Sequence, residues 1–384
     1  MRKVLFFTPH GTLTGSEVLL WHFLDHFDRQ HLQASLYCER NGHLLASTPP
    51  DVACFVSPFL RGGLRGLTNK VIRQVGLLSN ESAIRRIHQQ VQPDCWYLNT
   101  ILMAYLVPLA KKLGVKTVLH IHELNSVFEA ASHDDMARAM QQADLVIGVN
   151  DTICDFARTM GAAHVVQQRG FVDLSKQLVD PVRSRQLRER LGIAPGTHVW
   201  LMIGTPTHRK GFDFLPALAR QFSGQPCHFL WMGYTPRTGL TYLIEKQLDA
   251  LGLTNVTLLE PQTDEYFNYI QLADSFLLCS REDPFPLVMI EAASLAKPIV
   301  ASADVGAAEF LLPGMGELVP QSTVPHFIAA MQRVMDHPEG YDKSLLIRRS
   351  HEFSAEVQMR RWQETILSAW QPAAWAGRPV LSEG

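Results

Sequence analysis

The chain has 384 residues, of which 46% are apolar and 19% carry a charge. That length and apolar content are enough to build the cores of two domains of ordinary size. The formal net charge of −2 argues against a protein whose main partner is a nucleic-acid backbone.

The cysteines and the apolar runs narrow the class of protein further. The six cysteines are scattered without close pairs, a pattern that disfavours a zinc site and a disulfide framework. The N-terminal segment Met1–Phe7 has too few apolar residues for the core of a signal peptide. The weakly polar run Leu98–Ala110 is too short to cross a membrane. These features predict a cytoplasmic protein.

Short apolar runs alternate with longer helical patterns in both halves of the chain. This alternation predicts an α/β protein with two doubly wound Rossmann-like domains facing a cleft, and ligands bind at the carboxyl ends of the strands in such sheets. The predicted strands are Lys3–Thr8, Ala34–Cys38, Cys95–Asn99, Thr117–Ile121 and Leu145–Val149 in the first half, and Val199–Ile203, His228–Met232, Val256–Leu259, Ser275–Cys279 and Pro298–Ala301 in the second.

Two domain boundaries follow from this pattern. Residues 1–172 form the first predicted domain, and residues 173–353 form the second, which begins with a polar, proline-containing stretch. The final segment 354–384 carries Trp362 and Trp370, which need an apolar surface to pack on. We expect this segment to pack back on the first domain.

The most informative stretch is 281–291, where an acidic cluster and two prolines precede an apolar segment. It predicts a helix over Leu287–Ala296 with Glu291 about one turn inside it. A carboxylate among apolar neighbours needs hydrogen-bond donors, and a pair of sugar hydroxyls would serve. The loop Asp283–Pro286 lies ahead of the helix N-terminus, where free N–H groups favour a phosphate. Together these features suggest a nucleotide sugar.

A second candidate site is the turn Gly204–Asp213, which follows a predicted strand and precedes a predicted helix. Arg209 can hold a diphosphate by paired hydrogen bonds, and Lys210 adds a compact positive charge. The alternative is a solvated basic turn, which the Arg-Lys pair taken alone favours. The position of the turn at a strand end makes the diphosphate site more comparable in weight to that alternative. The chain contains neither a P-loop pattern nor a G-x-G-x-x-G pattern.

Two candidates lie in the first half. His120 and His122 share one face of a predicted strand, and no third ligand at suitable spacing supports a metal site. We expect His122, nearer the strand end, to face the cleft, and His120 to be a satisfied core histidine. Gly15 opens a predicted helix. It is either part of a simple turn in which Ser16 caps the helix, or a point where the backbone approaches a ligand.

On these residues the chain resembles the retaining glycosyltransferases of the GT-B fold, of the family-four type also described as glycosyltransferases group 1. The strongest element is an acid followed after seven residues by a glutamate, matched by Asp283 and Glu291. The resemblance implies that Glu291 binds the donor ribose. It implies donor-sugar contacts from Asp283, Phe285 and Leu287, and diphosphate contacts from Arg209 and Lys210.

The same resemblance assigns the remaining site residues. Gly15 and His122 match the acceptor side, and Gly233 matches a donor-site glycine. Thr205 stands where many relatives carry a further arginine, so diphosphate binding rests more on the basic pair. Asp283 is one methylene shorter than the usual glutamate, which leaves Glu282 as an alternative first acid. The implied catalytic set is Arg209, Lys210, Asp283 and His122.

The activity implied is metal-independent transfer of a hexosyl unit from a nucleoside diphosphate sugar to an acceptor hydroxyl, with retention and without another cofactor. The acceptor is a carbohydrate or a lipid-linked sugar in bacterial polysaccharide, lipopolysaccharide or glycolipid biosynthesis. The basic and apolar segment 61–78 fits either a peripheral contact with the inner membrane surface or a solvated loop with a core-facing helix. The alternatives are a nucleotide-sugar epimerase or hydrolase and a non-catalytic nucleotide-binding partner in a polysaccharide assembly complex.

Overall fold

The computed structural model describes residues 1–11, 15–57, 80–123, 128, 132–304, 306–368 and 370. The chain divides into two compact units, one made of Met1–Gly170 with Ala355–Gly384 and the other of Phe171–Ser354. The basic segment 61–78 lies outside the described residues. No helix in the described part of the chain is both long and apolar enough to cross a bilayer.

The first unit is built on a seven-stranded parallel sheet. Its strands are β1 Arg2–His10, β2 Leu32–Arg40, β3 Ala53–Val56, β4 Cys95–Asn99, β5 Lys116–Ile121, β6 Leu145–Gly148 and β7 Val165–Gln167. Their order is β3-β2-β1-β4-β5-β6-β7. The strand order therefore reverses between β1 and β4, and the crevice outside the carboxyl ends of the strands at such a reversal is where ligands bind in these sheets.

Helices connect these strands, as the right-handed crossovers of a parallel sheet require. They are α1 Gly15–His26, α2 His43–Ser47, α3 Asn80–Val91, α4 Val107–Lys112, α5 His133–Gln142 and α6 Asp151–Thr159, with a 3-10 helix at Ile101–Leu106. Strand β1 is buried along most of its length because helices can cover both faces of such a sheet.

The second unit holds a six-stranded parallel sheet. Its strands are β8 His198–Ile203, β9 Cys227–Met232, β10 Val256–Leu259, β11 Ser275–Leu278, β12 Ile299–Ser302 and β13 Gly316–Val319. They are ordered β10-β9-β8-β11-β12-β13, so the reversal falls between β8 and β11. The helices are α7 Pro181–Arg190, α8 Leu215–Gln221, α9 Gly239–Ala250, α10 Tyr266–Leu272, α11 Leu287–Ser294, α12 Val324–Asp336 and α13 Lys343–Glu352. Short 3-10 helices lie at Leu174–Lys176, Phe212–Phe214, Gly306–Glu309 and Pro338–Gly340.

The last helix, α14 Ala355–Ser368, belongs to the first unit. Its Trp362 is fully buried, with its ring centroid 4.5 Å from that of Phe23. The indole Nε1 donates a hydrogen bond to the Tyr97 hydroxyl at 3.0 Å. Trp362 thus finds the apolar surface it needs on the first sheet, and its polar N–H is satisfied there.

The predicted pair of doubly wound parallel sheets is confirmed, with corrections at the edges. Strands β3, β7 and β13 were not predicted, and each lies at an edge of its sheet. An edge strand is covered on fewer sides, so it need not carry the continuous apolar run that marks a central strand. Helix α11 ends at Ser294 instead of Ala296, whose φ of 57° is left-handed and incompatible with continuing the helix.

Candidate functional site

The turn after β8 and the loop after β11 are joined by an ion pair at the reversal of the second sheet. The Lys210 ammonium contacts the carboxylate of Asp283, which is buried. Ser280 Oγ lies 3.4 Å from the same carboxylate oxygen, and the Asp283 carbonyl accepts from the Gly306 N–H at 2.8 Å. The structure therefore brings together two segments that the sequence pattern gave as separate candidate sites.

A second set of contacts fixes the same two segments. Arg209 is exposed, and its Nη1 donates to the Glu282 carbonyl at 2.8 Å. Arg281, which the sequence reasoning did not single out, donates to both Asp213 carboxylate oxygens at 2.8 and 2.7 Å. Its guanidinium also lies 3.9 Å from the Phe214 ring centroid. Arg281 thus holds the basic turn against the β11 loop, by the paired bonds and stacking that suit a planar guanidinium.

Glu291 lies inside α11 and has a protein partner that the sequence did not predict. The Tyr266 hydroxyl, at the start of α10, donates to Glu291 Oε2 at 2.5 Å. Burial raises the pKa of Glu291 to about 7, and the bond from Tyr266 partly offsets this rise. The expectation that ligand hydroxyls supply the donors is therefore corrected for one oxygen. Within the described ranges, no residue donates to the other oxygen, Oε1.

The start of α11 offers backbone groups, not side chains. The Phe285 ring packs 5.3 Å from the Phe353 ring centroid, so only its backbone is available to a ligand. Leu287 is the first residue of the helix, and Pro286 precedes it. Among the described residues, none accepts a hydrogen bond from the backbone N–H of Leu287 or Val288. These two N–H groups give the helix start its capacity to bind an anion.

Gly233 lies where the ends of β8 and β9 meet. Its φ is 108°, and an added Cβ would lie 2.7 Å from the Gly204 carbonyl oxygen. Trp231 Nε1 donates to that same oxygen at 2.9 Å. A side chain at Gly233 would force the strand ends apart, which explains the glycine. Thr205 is exposed in the neighbouring turn.

The first unit has its own polar cluster at the reversal between β1 and β4. His122 Nε2 lies 2.9 Å from Asn99 Oδ1, and Asn99 Nδ2 donates to the Ser16 carbonyl at 3.3 Å. Burial lowers the pKa of His122 to about 3. Gly15 is the first residue of α1, and an added Cβ there would meet no atom of the described residues within 4 Å.

His120 lies deeper than His122, with the two ring centroids 3.8 Å apart. Its Nδ1 is hydrogen-bonded to the Tyr97 hydroxyl, while its buried Nε2 has no hydrogen-bond partner in the described part of the chain. The expectation of a satisfied core histidine therefore holds for only one of its two nitrogens.

Glu123 is a further member of this cluster that the sequence analysis did not single out. Its carboxylate accepts from the backbone N–H groups of Ile101 and His122 at 3.2 and 3.0 Å. Burial raises its pKa to about 7, and the nearby Glu17 contributes to the rise. Glu17 is itself buried and accepts from Thr8 Oγ1 at 3.3 Å. The ends of β4 and β5 are thus tied together by the partly buried carboxyl group of Glu123.

Comparisons with known proteins support the resemblance predicted from the sequence. Residues 197–337 match the family model described as Glycosyl transferases group 1. No match was found among curated protein sequences.

The similarity to solved structures extends over both units of the chain. Sucrose-phosphate synthase from Thermosynechococcus elongatus has a TM-score of 0.78 at 18% identity, covering 97% of this chain and 100% of its own. Anabaena HepE in complex with UDP-glucose has a TM-score of 0.80 at 18% identity, covering 96% and 100%. The lipopolysaccharide outer core galactosyltransferase WaaB has a TM-score of 0.71 at 16% identity, covering 96% and 99%.

The two parallel sheets and these structural neighbours define the GT-B fold. Within that class, the second unit carries the match to the group 1 glycosyltransferases. The resemblance stated from Asp283, Glu291 and the basic pair is thereby confirmed at the level of that group.

Proposed function

We propose that the protein transfers a glycosyl unit from a nucleoside diphosphate sugar to an acceptor hydroxyl, with retention at the anomeric carbon and without a metal ion. The observation that carries this proposal is the junction, at the reversal of the second sheet, of the basic turn Gly204–Asp213 and the acidic loop of residues 279–286 that follows β11. The Lys210–Asp283 ion pair and the bond from Arg209 to Glu282 place cations, an acid and a helix start together.

The donor diphosphate would bind to Arg209, Lys210 and the N–H groups of Leu287 and Val288. Because Lys210 is already paired with Asp283, the exposed Arg209 is the cation whose charge no carboxylate of the described residues balances at short range. We therefore expect Arg209 to supply most of the attraction for the diphosphate. Lys210 would hold Asp283 in position beside the sugar and contribute the remaining charge.

The nucleoside would be held by its ribose on Glu291. Tyr266 occupies Oε2 and fixes the plane of the carboxylate, which leaves Oε1 to accept from the ribose hydroxyls. The close approach of Gly233 to Gly204 leaves no side chain between the ends of β8 and β9. Because Glu291 would bind the ribose and not the base, it would recognise the hydroxyl pair of any ribonucleotide.

Catalysis would come mainly from stabilising the negative charge that develops on the leaving diphosphate, by fixed cations and N–H groups. Asp283 would be the first acid, because its carboxylate contacts Lys210 whereas Glu282 presents its backbone carbonyl to Arg209. The leaving phosphate would accept the acceptor proton on the same face, so no protein base is assigned. His122 and Gly15 would lie on the acceptor side.

The relatives suggest which donors and acceptors to test first. HepE was solved with UDP-glucose, and WaaB is a lipopolysaccharide outer core galactosyltransferase. We propose UDP-hexoses as the first donors and carbohydrate or lipid-linked acceptors of bacterial polysaccharide, lipopolysaccharide or glycolipid synthesis. A cytoplasmic location, with peripheral contact at the inner membrane surface where the acceptor is lipid-linked, is part of the same proposal.

The test is donor turnover with UDP-, GDP-, ADP- and dTDP-sugars, each with and without a mixture of sugar and lipid-linked acceptors. Acceptor-dependent release of nucleoside diphosphate, with the donor's anomeric configuration kept in the product by NMR, is the expected result. Turnover at full rate without acceptor would instead indicate an epimerase or hydrolase. Nucleotide binding with no turnover under any condition would indicate a non-catalytic partner.

A further inference from the structure

The orientation of the Asn99 amide is determined by its two neighbours. Asn99 is fully buried at the end of β4. Its Nδ2 lies 3.3 Å from the Ser16 carbonyl oxygen, which can only accept a hydrogen bond. The amide nitrogen must therefore face Ser16, and the amide oxygen must face His122.

This orientation decides which nitrogen of His122 carries the proton. Asn99 Oδ1 can only accept, so His122 Nε2, at 2.9 Å, must donate to it. The imidazole is neutral because its burial lowers the pKa to about 3, so it carries a single N–H. His122 Nδ1 is consequently a lone-pair acceptor. His122 is partly exposed, and none of the residues that the structure describes is bonded to Nδ1.

The ring is also held against rotation. The His120 ring centroid lies 3.8 Å from that of His122 on one side. The backbone N–H of His122 donates to the Glu123 carboxylate at 3.0 Å, which fixes the strand end from which the imidazole projects. A fixed ring with a fixed tautomer presents one kind of group to a ligand.

We propose that Asn99 is a positioning residue that holds His122 as the Nε2–H tautomer, so that His122 Nδ1 accepts a hydrogen bond from a hydroxyl group of the ligand. A lone pair in this position attracts an O–H donor and repels the oxygens of a phosphate or a carboxylate. The first unit therefore selects a hydroxyl of a neutral sugar at this point. The identity of that ligand as the acceptor sugar rests on the proposed function.

The tautomer can be read directly by NMR on full-length protein labelled with 15N-histidine. His122→Gln and His120→Gln identify the two sets of ring signals by their loss. We expect Nε2 of His122 to show the shift of a protonated ring nitrogen and Nδ1 that of an unprotonated one. A wild-type His122 that carries its proton on Nδ1, or on both nitrogens, would overturn the proposal without any variant at Asn99.

His120 provides the matched control. Among the described residues the Tyr97 hydroxyl contacts only Trp362, which can only donate to it, and His120 Nδ1. The hydroxyl proton must therefore go to His120 Nδ1, and His120 is also an Nε2–H tautomer. Asn99→Leu should mix the tautomers of His122 and leave those of His120 unchanged. Tyr97→Phe should do the reverse. If Asn99→Leu disturbed the tautomers of both rings equally, Asn99 would have only a structural role, and the proposal would be overturned.

A kinetic arm separates this inference from the proposed function. If wild-type protein transfers sugar, Asn99→Leu should raise the acceptor KM by about tenfold, the loss of one well-placed hydrogen bond. Nucleotide binding to the second unit should not change. An unchanged acceptor KM would contradict the role of Asn99. Absence of transfer by the wild type, with the Nε2–H tautomer present, would count against the proposed function alone.

Discussion

Glu291 and Tyr266 form a carboxyl–phenol pair whose electrostatics govern the proposed ribose site. Burial disfavours the ionised carboxylate and raises its pKa to about 7, while the Tyr266 hydroxyl favours the ionised form. Burial and the negative charge of Glu291 together raise the pKa of Tyr266, so its hydroxyl remains a donor at neutral pH. The pair therefore leaves Glu291 close to half-ionised near neutrality, where small changes in its surroundings alter its charge.

Nucleotide affinity should depend on this ionisation. The ionised carboxylate accepts from the ribose hydroxyls, so affinity for a nucleoside diphosphate should rise as pH increases through about 7. Tyr266→Phe removes the bond that favours ionisation and should move the midpoint to higher pH. Titration calorimetry across this range measures both, with Tyr341→Phe as control because Tyr341 donates to Glu317 in the same way at 2.9 Å. A flat profile, or equal shifts in both variants, would be inconsistent with Glu291 as the ribose acceptor.

The raised pKa of Glu291 also predicts how the stability of the ligand-free protein depends on pH. The folded-state pKa of about 7 lies above the ordinary value of 4.5, so between these pH values the folded state keeps a proton that the unfolded state releases. The free energy of unfolding must therefore fall as pH rises from about 4.5 to about 7.

Glu291→Gln removes this dependence, and denaturant unfolding at the two pH values checks it. The variant should gain up to about 3 kcal/mol relative to the wild type as pH rises from 4.5 to 7.5. Glu123, whose pKa is raised in the same direction, is present in both proteins and cancels from the comparison. A stability difference that does not change with pH would mean that Glu291 ionises at its ordinary value.

At the scale of elements, the site of the second unit depends on loops that approach one another closely. The 3-10 helix at Gly306–Glu309, which follows β12, meets the acidic loop that follows β11. Gly306 donates its N–H to the Asp283 carbonyl, and an added Cβ would lie 1.7 Å from the Pro284 carbonyl oxygen. The acidic loop can hold its position only while residue 306 has no side chain.

Gly306→Ala should therefore displace the acidic loop. We expect a loss of about 2 kcal/mol or more in the free energy of unfolding, since backbone must move to relieve the clash. Nucleotide affinity should fall with it. Gly224→Ala is the matched control, because an added Cβ there meets no atom within 4 Å in the part of the chain that the structure describes. Chemical denaturation and nucleotide titration of both variants measure the effect, and equal behaviour of the two would exclude this packing role.

At the scale of the whole molecule, the chain ends by returning to the unit in which it began. Helix α14 inserts Trp362 beside Phe23, Tyr97 and His120. Residues far apart in sequence thus complete one core. The Tyr97 hydroxyl, which accepts from Trp362, is also hydrogen-bonded to His120. The C-terminal helix is part of the surroundings of the first-unit histidines.

Trp362→Ala should destabilise the first unit by about 3–5 kcal/mol, the range for removing a large buried aromatic side chain. Trp370→Ala is the control in the same segment, since Trp370 is only partly buried, near Arg2. The Trp370→Ala change should lower the free energy of unfolding by much less. Nucleotide binding should survive both changes because the proposed donor site lies in the second unit. Denaturant unfolding followed with and without nucleotide checks this, and similar losses for the two tryptophans would be evidence against the described packing.

The sequence predicted the central strands and the site segments because both have local signals. Strand β1 is a continuous apolar run, and Asp283 and Glu291 keep a fixed spacing along the chain. Strand β13 begins with Gly316 and Glu317 and has no such run. Tyr266 and Asn99 were not predicted as site residues because their roles depend on partners 25 and 23 residues away in sequence. Periodicity identifies a buried face, but it does not identify which side chains meet on it.

The most direct test of the central claim, that the second unit binds a nucleoside diphosphate sugar through the basic turn and Glu291, is thermal-shift binding. UDP, GDP, ADP and dTDP, with their common sugars, are compared on wild type, Arg209→Ala, Glu291→Ala and the control Glu317→Gln. Glu317 accepts from Tyr341 as Glu291 does from Tyr266, but it lies on the edge strand β13. We predict stabilisation by one nucleotide family, kept in the control and lost in the other two variants. Stabilisation that survives both Arg209→Ala and Glu291→Ala, or no stabilisation by any nucleotide, would contradict the account.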